Sequence, residues 1–185
     1  MQASKAAKQL LPLLDVACNQ YPLHAELPAA IVKISAQMLY LYSAREYVCN
    51  YSVSTSRFGI GHDEGSYKTP TGIHCVQEKI GGDAEFSEIF KTRKPTREHA
   101  NIEHNEIRTN GDCITSRILW LAGLEEGVNK GAGIDSYARY IYIHGTHEEG
   151  LIGQPASEGC IRMKNQDVID LYDCLMISSF VIVSA

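Results

Sequence analysis

The sequence predicts a mainly β protein, a β-sandwich of short strands with an N-terminal helix, a helix near the C-terminus and a partly helical insertion. Three observations carry that reading. Apolar residues alternate in period two over several short runs, and Gly- and Pro-containing stretches punctuate those runs. Apolar residues at helical spacing are confined to the two ends of the chain. Many short strands between turn signals build sandwiches, because each strand can bury only one of its faces.

The elements follow in order. Ala6, Leu10, Leu13 and Leu14 recur at helical spacing, so residues 1–28 read as a helix packed on a single domain formed by residues 29–185. Ile31 and the run Met38 to Tyr42 read as strands. Tyr47, Cys49, Tyr51 and Val53 then alternate with Val48, Asn50 and Ser52, and Ser43 to Glu46 fits the hairpin between the two runs. A Gly-rich stretch from Arg57 to Thr69 ends in Thr69-Pro70-Thr71-Gly72, a turn before the strand Ile73 to Val76. Residues from Gly81 to about Asp112 are charged and aperiodic. That is too long for a bare loop, so partial helix and a covering role are expected there. Ile114 to Leu121 and Arg139 to Ile143 read as strands. Asn165 reads as the cap of a helix whose buried stripe is Val168, Ile169, Tyr172, Leu175 and Met176, and Phe180 to Val183 as the closing strand.

Composition narrows the function classes. The chain has 185 residues, 44% hydrophobic and 21% charged, which suits one globular core and excludes wholesale disorder. Its net charge of −5 has the wrong sign for a protein that neutralises phosphates, so no nucleic-acid partner is expected. No apolar run is long enough to span a bilayer, and Lys5, Lys8 and Asp15 break the pattern of an export signal. A soluble, cytoplasmic protein is the expectation. Cys18, Cys49, Cys75, Cys113, Cys160 and Cys174 form no CxxC pair, which fits reduced thiols in a cytosolic chain. No metal or other cofactor is expected either. His144 and His147 form an HxxH pair and His99 and His104 lie elsewhere, but zinc sites favour denser clusters. His74, inside a strand pattern, reads as a packing residue.

The chemistry concentrates in Ile141-Tyr142-Ile143-His144-Gly145-Thr146 and, after a Gly/Pro loop, Ser157-Glu158-Gly159-Cys160-Ile161-Arg162-Met163. Cys160 follows His144 by 16 residues, too far for one helix face but natural for the two edges of a loop. A thiol becomes an effective nucleophile when a neighbouring imidazole takes its proton. Gly159 permits a sharp turn that aims the Gly159 and Cys160 amides at a developing oxyanion. A small residue after His144 lets the second ring nitrogen bond a backbone carbonyl. Spacing alone leaves a buried thiol and a surface imidazole as an equal alternative.

The strings IHGT and SEGCIRM, with YSVSTS and KTPTG upstream, resemble the L,D-transpeptidase (YkuD-type) catalytic domain over roughly Ile31 to Val183. The resemblance implies a β-sandwich cysteine enzyme acting on peptidoglycan stem peptides. It implies Cys160 as nucleophile, His144 as general base and Gly145 as the orienting carbonyl, with Ser157, Gly159 and Arg162 completing the site loop. One position departs from the family pattern: Glu158 stands where a histidine is usual. That leaves His144 as the leading base and His147 as an outside candidate. Glu158 either pairs with an arginine or binds a substrate ammonium group, the pairing being favoured.

In a cytoplasmic setting the resemblance implies the L,D-carboxypeptidase branch. Such an enzyme removes the terminal D-alanine of murein tetrapeptides in peptidoglycan recycling, the peptide being free, sugar-linked or nucleotide-linked. A crosslinking L,D-transpeptidase is the alternative. A carboxypeptidase needs a cation for the substrate's terminal carboxylate, and Arg117, Arg139, Arg162 and Lys68 are the candidates.

Overall fold

The structure, a computed structural model, describes residues 2–109, 111 and 113–185. Helix α1 (Gln2–Gln20) precedes β1 (Ala29–Lys33), β2 (Met38–Ser43) and β3 (Glu46–Ser52). Then come β4 (Gly72–Ile80), β5 (Glu88–Lys91), β6 (Lys94–His99) and β7 (Ile114–Gly123). The chain closes with β8 (Tyr142–Thr146), β9 (Ile161–Met163), α2 (Asn165–Cys174) and β10 (Phe180–Ser184).

All ten strands join one mixed sheet in the order β3-β2-β1-β10-β4-β7-β5-β6, with β8 on the other edge of β7 and β9 on β8. The sheet curls until its ends approach. The backbone just past β3 bonds back to β9, Ser54 and Arg162 exchanging N–H···O bonds of 2.9 Å in both directions. One curled sheet thus supplies both layers of the mainly β fold. Ala30, Val32, Leu39, Leu41, Val53, Leu119, Ile143, Ile161 and Met163 fill the inside, and α2 adds Val168, Leu171 and Leu175. On the outside, α1 covers β1, β2, β4 and β10 with Ala7, Leu14, Ala17 and Cys18. Its Leu13 faces solvent instead, because Ala7, Leu14, Ala17 and Cys18 already form the stripe that meets the sheet.

Three local expectations are corrected. The described part of the segment after Gly81 contains no helix. It is the β5–β6 hairpin, whose turn residues Thr92 and Arg93 both take positive φ, followed by an extended stretch. The alternation is hidden in sequence by a register shift between Glu88 and Phe90 and by Pro95 in β6. The buried Glu88 carboxylate holds this hairpin by accepting the N–H groups of Glu85 and Arg97. Asp112, the expected end of that segment, lies outside the described residues.

The second correction concerns β8, which begins at Tyr142 and not at Arg139. Arg139 and Tyr140 form a turn, with the Arg139 N–H on the Asp135 carbonyl and Tyr140 at φ 57°. In the third, the side chain of Asn165 does not cap α2. The Glu149 carboxylate accepts the Asn165 N–H at 2.8 Å, which frees the Asn165 amide for work described below. The buried stripe of α2 runs through Val168, Leu171 and Leu175, while Met176 is exposed.

His74 sits in the sheet with no exposed surface, its ring between the Gly72 carbonyl (3.1 Å) and the Ser136 hydroxyl (3.0 Å). Burial disfavours its charged form and lowers its pKa to about 4. A histidine lowered on folding stabilises the fold fully above its unfolded pKa of about 6.5, and that contribution disappears as pH falls toward 4. Denaturant unfolding between pH 7 and pH 4 should therefore lose about 3 kcal/mol through this residue. His74→Gln should flatten that part of the curve, and an unaltered slope would disprove the assignment.

Candidate active site

Strands β8 and β9 run parallel, with Ile143 opposite Ile161, His144 opposite Arg162 and Gly145 opposite Met163. Side chains alternate along a strand, so Ile143, Ile161 and Met163 enter the inner core while His144 and Arg162 share the outer face. Cys160, two residues before Arg162, lies on that same face beside Tyr142, whose N–H reaches its sulfur at 3.4 Å. His144 and Cys160 are therefore one diagonal step apart across a single ladder. Such a step spans about 7–8 Å between backbones, a gap that an imidazole and a thiol can close.

The histidine is held from behind. Its Nδ1 lies 2.8 Å from the Gly145 carbonyl oxygen, which leaves Nε2 as the outward nitrogen. Gly145 must lack a side chain, since a Cβ there would come within 2.6 Å of the Thr115 carbonyl and 2.9 Å of the Asn165 Oδ1. Asn165 is the hub of this rear wall. Its Oδ1 accepts the hydroxyls of Thr115 and Ser116, both at 2.6 Å, and its Nδ2 donates to the Thr146 carbonyl at 2.9 Å.

The cysteine loop is tied down by the two upstream motifs. Gly159 takes φ 120°, a conformation that favours glycine. Its carbonyl accepts the Thr69 hydroxyl at 2.9 Å, and that hydroxyl oxygen in turn accepts the Ser56 N–H at 2.9 Å. The Ser157 hydroxyl donates to the Cys160 carbonyl at 2.6 Å. Two backbone groups meet the sulfur with opposite effects. The Tyr142 N–H favours the thiolate, while the Tyr140 carbonyl, 3.3 Å away, accepts from the protonated thiol.

The predicted cations divide. Arg162 is almost fully buried and pairs with Glu148 at 2.7 Å. Burial would push the Glu148 carboxyl up, but the Thr109 N–H and the Arg162 guanidinium outweigh it and bring its pKa below the usual value. Arg139 approaches the site. It donates to the carbonyls of Lys68 (2.8 Å) and Gly61 (3.4 Å), and burial lowers its pKa against the attraction of Asp63, Cys160 and Glu64. Its charge thus bears on the Cys160 sulfur. The Lys68 chain lies against Gly61, and Lys68 borders neither of the two clefts described below.

Arg117 lines neither of the two clefts described below. It comes from the irregular stretch where Thr115 opposes Gly145 and Ile118 opposes His144, and its guanidinium turns toward the Ala84 and Ser116 carbonyls and the Tyr172 ring. A buried guanidinium needs those acceptors. Glu158 pairs with Arg57 at 2.6 Å, and both side chains are well exposed, at 52% and 37%. Arg57, Thr69, Glu148 and Asn165 carry much of the site, yet the sequence marks none of them as a site residue: Asn165 reads there as a helix cap, and Thr69 as part of a turn in the KTPTG string. His147 is occupied with the loop before β7, its ring bonding the Thr109 hydroxyl at 2.6 Å and accepting the Cys113 N–H. Among the described residues no three metal-binding side chains converge.

Two clefts flank Glu158. One, of about 310 Å³, is bordered by Glu64, Tyr67, Arg139, Tyr140 and Ile141. The other, of about 260 Å³, lies on the Arg162 side. Arg93, in the turn of the β5–β6 hairpin, places its guanidinium 4.9 Å from the Trp120 ring and 5.1 Å from the Tyr140 ring.

Glu148→Ala leaves Arg162 buried without this carboxylate and should cost about 3 kcal/mol in denaturant unfolding. Glu158→Ala, at an exposed pair, should cost less than about 1 kcal/mol. Equal losses from the two variants would contradict this division.

Comparison with known proteins agrees with the geometry. A provisionally named L,D-transpeptidase of Bacillus subtilis (strain 168), YqjB, is 27% identical over 121 residues, covering 65% of this chain and 60% of that protein. L,D-transpeptidase 3 from Mycobacterium tuberculosis, solved with a faropenem-derived adduct, superposes with a TM-score of 0.52 at 15% identity, over 85% of this chain and 60% of that one. A cysteine-to-serine mutant of Enterococcus faecium L,D-transpeptidase gives 0.50 at 14% identity, over 85% and 50%. At such identities the two structures speak for the fold alone, and this chain spans about 60% of the length of the curated relative. The L,D-transpeptidase catalytic domain (YkuD) profile matches residues 28–183, and the chain belongs to that family.

Proposed function

We propose that this chain is a cysteine-dependent L,D-carboxypeptidase that releases the terminal D-alanine of murein tetrapeptides. The observation that carries the reading is the placement of His144 and Cys160 on one face of the β8–β9 ladder, with the imidazole oriented by Gly145. The Cys160 thiolate, formed by proton transfer to His144, attacks the carbonyl at the L-centre of the third stem residue. The amides of Gly159 and Cys160 are the donors for the oxyanion. His144 then gives its proton to the departing D-alanine amine, and a thioester remains on Cys160. Water, deprotonated by His144, attacks the thioester and frees the tripeptide and the thiol.

Water is preferred over a second stem peptide as acceptor because we place the protein in the cytoplasm. The free thiols Cys18, Cys49, Cys75 and Cys174 suit a reducing compartment. A cytoplasmic enzyme meets soluble turnover peptides and no wall to crosslink.

The test is D-alanine release from murein tetrapeptide, with pentapeptide as the control. The protein should release D-alanine from the tetrapeptide and not from the pentapeptide. Cys160→Ala should abolish the release, and His144→Ala should lower kcat/KM by at least about a hundredfold. Faropenem, matched to the adduct named for the mycobacterial structure, should add mass to the protein but not to Cys160→Ala. Crosslinked dimer formed in place of the tripeptide would favour the transpeptidase.

A further inference from the structure

The two clefts beside Glu158 are chemically unlike, and their order along β8 fixes which end of the substrate each receives. The group that protonates the departing amine must stand next to it. His144 is that group in the proposed reaction, and its partner across the ladder, Arg162, borders the smaller cleft. The larger cleft borders Tyr140 and Ile141, in the opposite direction along the chain. The leaving residue therefore belongs in the smaller cleft and the stem peptide in the larger one.

Three arginines border the smaller cleft. The Arg162 guanidinium is committed to Glu148 inside the protein, and that of Arg57 to Glu158 at the divide. Arg108 differs from both. It is exposed, its Nη2 donates at 2.8 Å to the carbonyl of Ala156, and it forms no ion pair among the described residues. Ala156 directly precedes Ser157 of the cysteine loop, so this bond holds the guanidinium against the segment that carries the sulfur. A guanidinium has five donors in a planar fork suited to a carboxylate, and one bond to a neutral carbonyl leaves most of them available.

We propose that Arg108 is a specificity residue that pairs with the free terminal carboxylate of the leaving D-amino acid, which makes the smaller cleft the leaving-residue subsite. The assignment rests on the hydrolytic reading for its direction and deepens it. It explains how a tetrapeptide is told from a pentapeptide: in the longer peptide the residue at this position is joined to another and has no carboxylate to offer. A site built to pair a charge discriminates strongly against a ligand that lacks it.

The experiment measures binding apart from turnover. Calorimetry on Cys160→Ala, with tetrapeptide as the free acid and as the C-terminal amide, should give about 10–100-fold tighter binding of the acid, the span of a charge-assisted hydrogen bond. Adding Arg108→Gln should bring the acid-to-amide ratio within about threefold, and Arg108→Lys should restore part of it. Equal binding of acid and amide by Cys160→Ala overturns the proposal, as does a ratio that survives Arg108→Gln, or no binding of either peptide. If the ratio responds to Arg108 while the unsubstituted protein releases no D-alanine, the subsite stands and the hydrolytic reading falls.

Discussion

The parallel pairing of β8 with β9 is the constraint on which the site depends. Three register pairs decide that His144 and Cys160 share an outward face while Ile143, Ile161 and Met163 go inward. A slip of one residue would exchange those faces, putting the imidazole in the core and an isoleucine in the cleft. The inner residues thus specify the position of the outer ones. The same short strand also closes the sheet, through the Ser54–Arg162 bonds, so closure and site geometry are one event.

Around that ladder, charge is handled according to burial. Arg162 and Glu148, both almost fully buried, pair and recruit Thr109, since a charge left alone there would be costly. Arg57 and Glu158 form a pair near solvent, where its worth is small and its groups remain within reach of a ligand. Arg139 is intermediate: it braces the loop from Gly61 to Lys68 while its charge bears on the Cys160 sulfur. Glu158, which occupies the position where the family usually has histidine, becomes the wall between the two clefts.

The rear of the site is made of polar side chains that serve the backbone. Asn165 gathers the hydroxyls of Thr115 and Ser116 and the carbonyl of Thr146 behind Gly145, and Thr69 links Ser56 to Gly159. Each is buried and satisfied, the condition under which a polar network rigidifies what it touches. His144 and Cys160 can therefore rest on two short strands without being loose.

Much of this was legible in the chain itself. Period-two alternation marks β2 and β3, an apolar run marks β10, and helical spacing marks α1 and α2, because burial leaves a local signature. The strings around His144 and Cys160 mark the chemistry because a strand end, a glycine and a thiol are local requirements. The β5–β6 hairpin was not legible, since its left-handed turn and its bulge are held by the Glu88 carboxylate and leave no periodicity. Nor was the fate of the arginines. Arg117 turns to the Ala84 carbonyl and borders neither cleft, while Arg57 and Arg108 border the smaller one, although nothing adjacent to them in sequence distinguishes the three. Which residue is apolar, small or nucleophilic is set by its own chemistry and its near neighbours. Where a long charged side chain ends is set by the acceptors within its reach, and only the curling of the sheet brings Ala84, Glu148, Ala156 and Glu158 to their respective arginines.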